Sequence, residues 1–210
     1  IDIEDQNLFI ELRMGNNQGI FQFESDGMNS LIKGMQVEKF EELVAANALY
    51  RPGPMNMKPI GAHEQFIINK FNPNKRKYAH KSLKPLLEET NGVLVFQEQL
   101  MFIAHEIGKM SLGEGDNLRK VMDNSGKLIA KKLQNIPLTE DEENNKHYKD
   151  YVKLWHKFID GAKSNGLSED DVQAIESWLV EYLGYSFNKS HSVSYSYVAM
   201  QTLYLKHYYP

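Results

Sequence analysis

A serine followed three residues later by an acid stands at Ser111–Glu114 and again at Ser168–Asp171, each just ahead of apolar residues at helical spacing. A helix start leaves four amides without partners, and this box satisfies two of them, because the serine oxygen accepts from one and the acid reaches back to the other. The boxes predict one helix through Leu118, Val121 and Met122 and another through Val172, Ile175, Trp178, Leu179 and Tyr182, ending near Gly184. The same three- and four-residue spacing recurs along the chain. Asn7 to Met14 reads as a helix stopped by Gly15, and Ser25 caps one that carries Met28, Leu31 and Ile32 and closes at Gly34. Glu38–Leu49, Ile60–Phe71, Ser82–Glu89 and Gln97–Gly108 follow. Lys127–Asn135 resumes as a short cationic helix, and a long helix to about Ala162 buries Tyr148, Val152, Trp155, Phe158 and Ile159. Gly19–Phe23 alternates as a half-buried strand would, and the β-branched run Gly92–Phe96 reads as a second strand. The fold class expected is mainly α with a few short strands.

With 210 residues, 41% of them hydrophobic and 25% charged, the chain suffices for one substantial core or two small ones. It has no cysteine, hence no disulfide framework and no thiolate metal site, which suits an intracellular, cytoplasmic protein. No apolar run reaches the length of a membrane span and no basic-then-apolar leader opens the chain, so no membrane association is expected. The start at Ile1 and the stop at Pro210 lead us to expect a piece of a longer polypeptide. A net charge of -4 argues against a uniformly basic nucleic-acid binder, but the charge is segregated. Lys70, Lys75, Arg76, Lys77, Lys81 and Lys84 follow one another with no acid among them, while Glu140, Asp141, Glu142 and Glu143 stand together in the expected linker or surface insertion.

Several chemistries are excluded. His63-Glu64 and His105-Glu106 open like the zinc-protease helix motif, but Ile67 and Lys109 stand where the second histidine is required. There is no phosphate-binding G-x-x-x-x-G-K, and Gly184-Tyr185-Ser186-Phe187-Asn188 lacks the second glycine of a nucleophile elbow. Asp2 and Glu4 have the spacing of metal carboxylates on a strand, though an acidic terminus is far more often plain surface.

What remains are cations at rigid loops and helix starts. After Gly184 comes the polar run Asn188, Lys189, Ser190, His191 and then a long helical segment. Asn188 or Ser190 can cap that helix, whose exposed amides and positive dipole end suit an anion. The same run also reads as an exposed turn with a good cap, and both readings stand on these residues alone. Tyr50-Arg51-Pro52-Gly53-Pro54 is expected to be non-helical, presenting Arg51 on a stiff loop, either to a ligand or to a neighbouring acid. Arg119 and Lys120 lie side by side, with Asp116 three and four residues earlier, so intrahelical pairing worth only about a few tenths of a kcal/mol is the alternative to ligand binding. As a set, these groups suit a polyphosphate.

The blocks GIFQFESDGM, ALYRPGPM, GVLVFQEQLM, SLGEGDNLRKVM, FIDGAKSNG and GYSFNKSHSVSYSYVAMQTLYLKHYYP, in this order, resemble the alpha subunit of bacterial DNA polymerase III and its C-family relatives, including bacteriophage or divergent bacterial members. The resemblance covers nearly the whole chain. It implies a fingers domain at 25–210, a connection from the palm at 1–24, and a polar insertion near 133–146. It also implies DNA-directed DNA synthesis by the full-length protein, with dNTP, primer-template DNA, the rest of the polymerase and replisome proteins as partners. Mg2+ would be held mainly by palm carboxylates outside this chain, leaving no catalytic or metal-binding residue here.

By the same resemblance, Arg119 and Lys120 occupy the positions of the LRRAM pair held to contact the triphosphate; lysine keeps the charge of the second arginine but not its bidentate fork. Arg51, Asn188, Lys189, Ser190 and His191 would also bind nucleotide, His191 as a donor or pyrophosphate-side proton source. Lys75, Arg76 and Lys77 would touch DNA backbone. Ser186 replaces a usual glycine, which puts the local backbone in question. The alternative is a separately encoded fingers-like module that docks on a palm-bearing partner and has no activity of its own.

Overall fold

The computed structural model describes residues 1–210, which divide into two compact units. The first comprises Ile1–Arg76, Glu89–Phe96 and Phe187–Pro210. Its leading helices are α1 (Gln6–Met14), α2 (Asp26–Met35), α3 (Phe40–Leu49), α4 (Pro52–Met55) and α5 (Ala62–Phe71). The second unit, Lys77–Glu88 with Gln97–Ser186, holds α6 (Lys84–Leu87), α7 (Gln97–Glu106), α8 (Leu112–Leu133), α9 (Glu140–Glu143), α10 (Lys146–Ser164) and α11 (Glu169–Glu181). The chain then returns to the first unit as α12 (Lys189–Tyr208). No helix is long and apolar enough to cross a membrane.

In the first unit, α12 packs on α3, and small side chains bring the two together. Buried Ser192 donates its hydroxyl to the Val44 carbonyl at 2.6 Å, and Asn47 donates to the Ser196 hydroxyl at 2.8 Å. These bonds fix the register of α12 on α3, since a slip of one residue would leave buried hydroxyls without partners.

Neither expected strand forms. Gly19 to Phe23 is a succession of turns in which the Phe23 amide donates to the Ile20 carbonyl at 3.0 Å and Gln22 takes a positive φ of 66°. Ile20 and Phe23 are buried while Phe21 and Gln22 face out, so the buried residues are three apart rather than two. The apolar run Val93–Phe96 is buried but forms a single bridge, Phe96 with Phe187. The Arg51–Pro54 loop is likewise not a loop. Pro52 sits at the first position of α4, where a missing amide costs nothing, and Arg51 before it has the extended backbone (φ -149°, ψ 151°) that a following proline imposes.

Other boundaries also shift. Helix α2 runs through Gly34 to the fully buried Met35 and turns at Gln36 instead. The expected helix at Ser82–Glu89 is broken into single turns around Pro85. The two helices expected at Ser111–Met122 and Lys127–Asn135 are one, α8, because buried Val121, Met122, Ser125 and Ile129 continue a single stripe.

Both capping boxes form as expected at Ser111–Glu114 and Ser168–Asp171, and Thr139–Glu142 adds a third that starts α9 inside the acidic insertion. In the second unit α10 turns its aromatic face inward, with Trp155 and Phe158 stacked 4.5 Å apart, and buried Tyr151 donates its hydroxyl to the Glu176 carboxylate. Gly161 allows α10 to pass against the turn after α7, since a β-carbon there would stand 1.8 Å from the Gly108 carbonyl oxygen.

Candidate functional site

In the first unit, the start of α12 gathers five of the sequence-predicted residues. Asn188 has extended backbone (φ -69°, ψ 118°), and its side-chain oxygen accepts the His191 amide at 2.8 Å, so the cap is Asn188 and Ser190 lies exposed within the first turn. The exposed His191 ring stands edge-on to Phe187 at 5.3 Å and lies 4.0 Å from the Tyr195 ring. On Phe187 also rests the Arg51 guanidinium, its central carbon 4.5 Å from the ring centroid, while Arg51 Nε donates to the Ala48 carbonyl at 2.8 Å.

Arg51, Phe187, His191 and Tyr195 thus form a continuous file of flat groups, in which cation–π attraction and stacking help to hold the guanidinium and the imidazole in place. Burial lowers the Arg51 pKa from its ordinary value, although a guanidinium stays charged at neutral pH. Lys189 pairs with Glu89 and lies 5.5 Å from the Phe96 ring.

Phe187 is held by its own amide, which donates to the Val95 carbonyl at 2.9 Å. That single bridge is what the expected strand became. It fixes the platform on which Arg51 sits, a role for which the sequence offered only the unbroken Phe-Asn-Lys-Ser-His run.

In the second unit, Arg119 is clamped along α8. Its Nη2 meets Asp116 Oδ1 at 2.9 Å and its Nη1 meets Asp123 Oδ2 at 3.1 Å, leaving the side chain 13% exposed. Lys120 shares Asp116 at 2.7 Å, and that ammonium, with the Arg119 bonds adding to it, holds the Asp116 carboxyl below its ordinary value. The other oxygen of Asp123 accepts the Gly184 amide at 2.9 Å, where the chain turns with a φ of 75°. One carboxylate therefore joins Arg119 to the turn ahead of the polar run. Asp123 was legible as a helical neighbour four residues beyond Arg119, but its bond to Gly184 was not. Ser186 needs no glycine backbone, because it is absent from the positive-φ positions, and its side chain is buried.

The cations of the basic stretch differ in their partners. Lys70 is spent on Glu42, and Arg76 donates to the Asn69 carbonyl at 3.0 Å and to the Asn91 side chain at 2.7 Å. Lys75 and Lys77 remain exposed. No group of three His, Asp or Glu side chains stands close enough together to hold a metal ion.

Comparison with known proteins agrees with this arrangement of blocks. The family model described as the bacterial DNA polymerase III alpha subunit finger domain matches residues 1–145. The chain is 38% identical over all 210 residues to DNA polymerase III subunit alpha of Staphylococcus epidermidis, covering 17% of that protein. It is 39% identical over 210 residues to the Chlamydia trachomatis subunit, covering 15%, and 37% identical to the Staphylococcus aureus subunit, covering 17%. The chain thus spans roughly a sixth of the length of these relatives, at 15–17%. With the ordered blocks, the predominantly helical fold and a match over most of its length, the chain belongs to the bacterial DNA polymerase III alpha subunit finger domain family.

Proposed function

We propose that this chain is the fingers segment of a DNA-directed DNA polymerase acting in bacterial DNA replication, and that its cations receive the triphosphate of the incoming dNTP. The observation that carries the reading is the start of α12, where a capped helix end, Lys189, Ser190 and His191 stand beside an arginine fixed on an aromatic ring. A helix N-terminus offers oriented amides to an anion, and groups already held in place contribute binding without a further ordering cost. His191 keeps its ring exposed, so it can donate to a phosphate oxygen or supply a proton on the pyrophosphate side.

Arg119 and Lys120 are proposed as triphosphate contacts in the second unit. Arg119 must exchange Asp116 and Asp123 for phosphate, which makes its contact conditional on a dianionic or stronger competitor. Among the basic residues, Lys75 and Lys77 are the proposed DNA-backbone contacts; Arg76 serves the fold. Mg2+ would come with the nucleotide and with carboxylates of the palm outside this chain, so no step is assigned to it here. Primer-template DNA, the remainder of the polymerase and replisome proteins are the expected partners, in the bacterial cytoplasm, with residues 1–24 as the connection from the palm.

Calorimetric titration of the chain with a dNTP and Mg2+ tests the reading. Binding that is weakened in the Arg119→Ala, Lys120→Ala double variant and separately in His191→Ala supports it. Binding left unchanged by both, in variants with native circular dichroism, rejects it.

A further inference from the structure

Helices α8 and α10 of the second unit leave a cleft of about 480 Å³ along their outer edge. Asn117, Lys120 and Asn124 face it from α8, spaced three and four residues apart on one side of the helix; His147, Asp150 and Lys153 face it from α10 at three-residue intervals. Val121 and Leu154 form its floor. His147 and Lys153 are exposed and take part in no ion pair or hydrogen bond, and Asp150 is likewise unpaired. Two unpaired basic groups held beside a third cation, in a cleft whose other polar groups are mostly neutral amides, are not explained by the packing of α8 on α10. That packing uses the neighbouring, aromatic face of α10, with Tyr148, Tyr151, Trp155 and Phe158.

The positive character continues beyond the cleft. Helix α10 carries five lysines against two aspartates, and Lys146, Lys149 and Lys153 are all exposed on it. From Asn117 to Asn124 the lined edge is about 10 Å long at the helical rise, close to three nucleotides at the per-strand spacing of a duplex. A row of cations along a groove follows a repeating phosphate chain, whereas a lone inorganic anion would call for convergent donors at one point. Lys and Asn side chains are among the groups that hold phosphate and sugar oxygens without reading sequence.

We infer that the α8–α10 cleft binds the sugar-phosphate backbone of a polynucleotide strand, with Lys153 and His147 as its principal contacts and Lys120 at its rim. Its principal contacts, Lys153 and His147, lie outside the proposed triphosphate set, and only Lys120 at the rim is common to both.

The test is fluorescence anisotropy of a labelled single-stranded oligonucleotide titrated with the whole chain at several KCl concentrations. For a single strand the slope of log K against log salt is about -0.7 per phosphate neutralised. Lys153→Gln combined with His147→Gln is expected to weaken binding several-fold at every sequence tested and to flatten that slope by about 0.7 or more. Lys163→Gln, on the same helix but outside the cleft, is expected to leave both unchanged. Circular dichroism confirms that the variants fold. An unchanged slope in the double variant, no binding by the wild-type chain at low salt, or equal competition by inorganic phosphate at matched phosphate concentration overturns the inference. Loss of oligonucleotide binding with dNTP binding intact supports it, and absence of dNTP binding with the oligonucleotide result preserved rejects only the triphosphate reading.

Discussion

The start of α12 and the middle of α8 both present cations, but they prepare them differently. At α12 the guanidinium of Arg51 rests on an aromatic face and donates to a backbone carbonyl, the His191 ring lies against Phe187 and Tyr195, and Lys189 pairs with Glu89. On α8 Arg119 lies between two carboxylates with little of it exposed. Aromatic faces orient a cation without neutralising it, whereas a flanking acid stabilises it and must be displaced before an anion is bound. The first arrangement orients its cations on aromatic faces; the second is a latch, and through Asp123 the latch also holds the Gly184 turn.

Breaking the latch should have the largest effect. Asp123→Ala removes both the partner of Arg119 and the acceptor of the Gly184 amide, and should cost about 1–3 kcal/mol of stability in urea unfolding. Asp123→Asn keeps an acceptor for that amide and should recover most of the loss. Equal destabilisation by the two would place the weight on the charge rather than on the turn. At α12 the corresponding element is the cap, and Asn188→Ala should cost about 1 kcal/mol, with Asn188→Ser close to wild type.

Ligand binding sharpens the contrast on a finer scale. Glu89→Gln and Asp123→Asn each remove a competing acid, and both should tighten Mg-dNTP binding by calorimetry, on the order of a few-fold for a partly exposed pair. The gain should be larger for Asp123→Asn, because Arg119 is the more deeply engaged cation. A gain at Glu89 alone would remove Arg119 from the triphosphate set.

The smallest difference is in acid. Glu114, in the box that starts α8, is lowered from 4.5 to about 2, first by the Lys157 ammonium and then by the Ser111 amide and hydroxyl. A lowered carboxyl adds stability above its ordinary pKa that is lost as pH falls through the folded value, here between about 4.5 and about 2. Helix α12 starts on the neutral amide of Asn188 and has no such dependence at its cap. Glu114→Gln should therefore flatten part of the acid-induced loss of stability, while Asn188→Ser should shift stability without changing its slope with pH.

What could be read in advance was local. Ser111–Glu114 and Ser168–Asp171 are complete within four residues, so their boxes were legible, as was the pairing of Asp116 with Arg119 and Lys120. The turns at Gly19–Phe23 were not, because alternation over five residues fits both a strand and a run of turns that buries Ile20 and Phe23, and only tertiary packing decides between them. Pro52 by its sequence alone signals a break, but at a first helical position it starts a helix. The pairing of Lys189 with Glu89 and the seat of Arg51 on Phe187 join residues far apart in the chain, and no spacing rule reaches them.

The most direct measurement follows the side chains themselves. Nitrogen-15 spectra of the arginine guanidinium and histidine ring groups, recorded while Mg-dNTP is added to the chain, report which cations meet the phosphates. Saturable shifts of the His191 ring and of the Arg119 guanidinium at one common affinity are predicted, the latter marking its exchange of carboxylate for phosphate. Saturation by nucleotide with these signals unmoved would contradict the assignment of the fingers cations to the triphosphate.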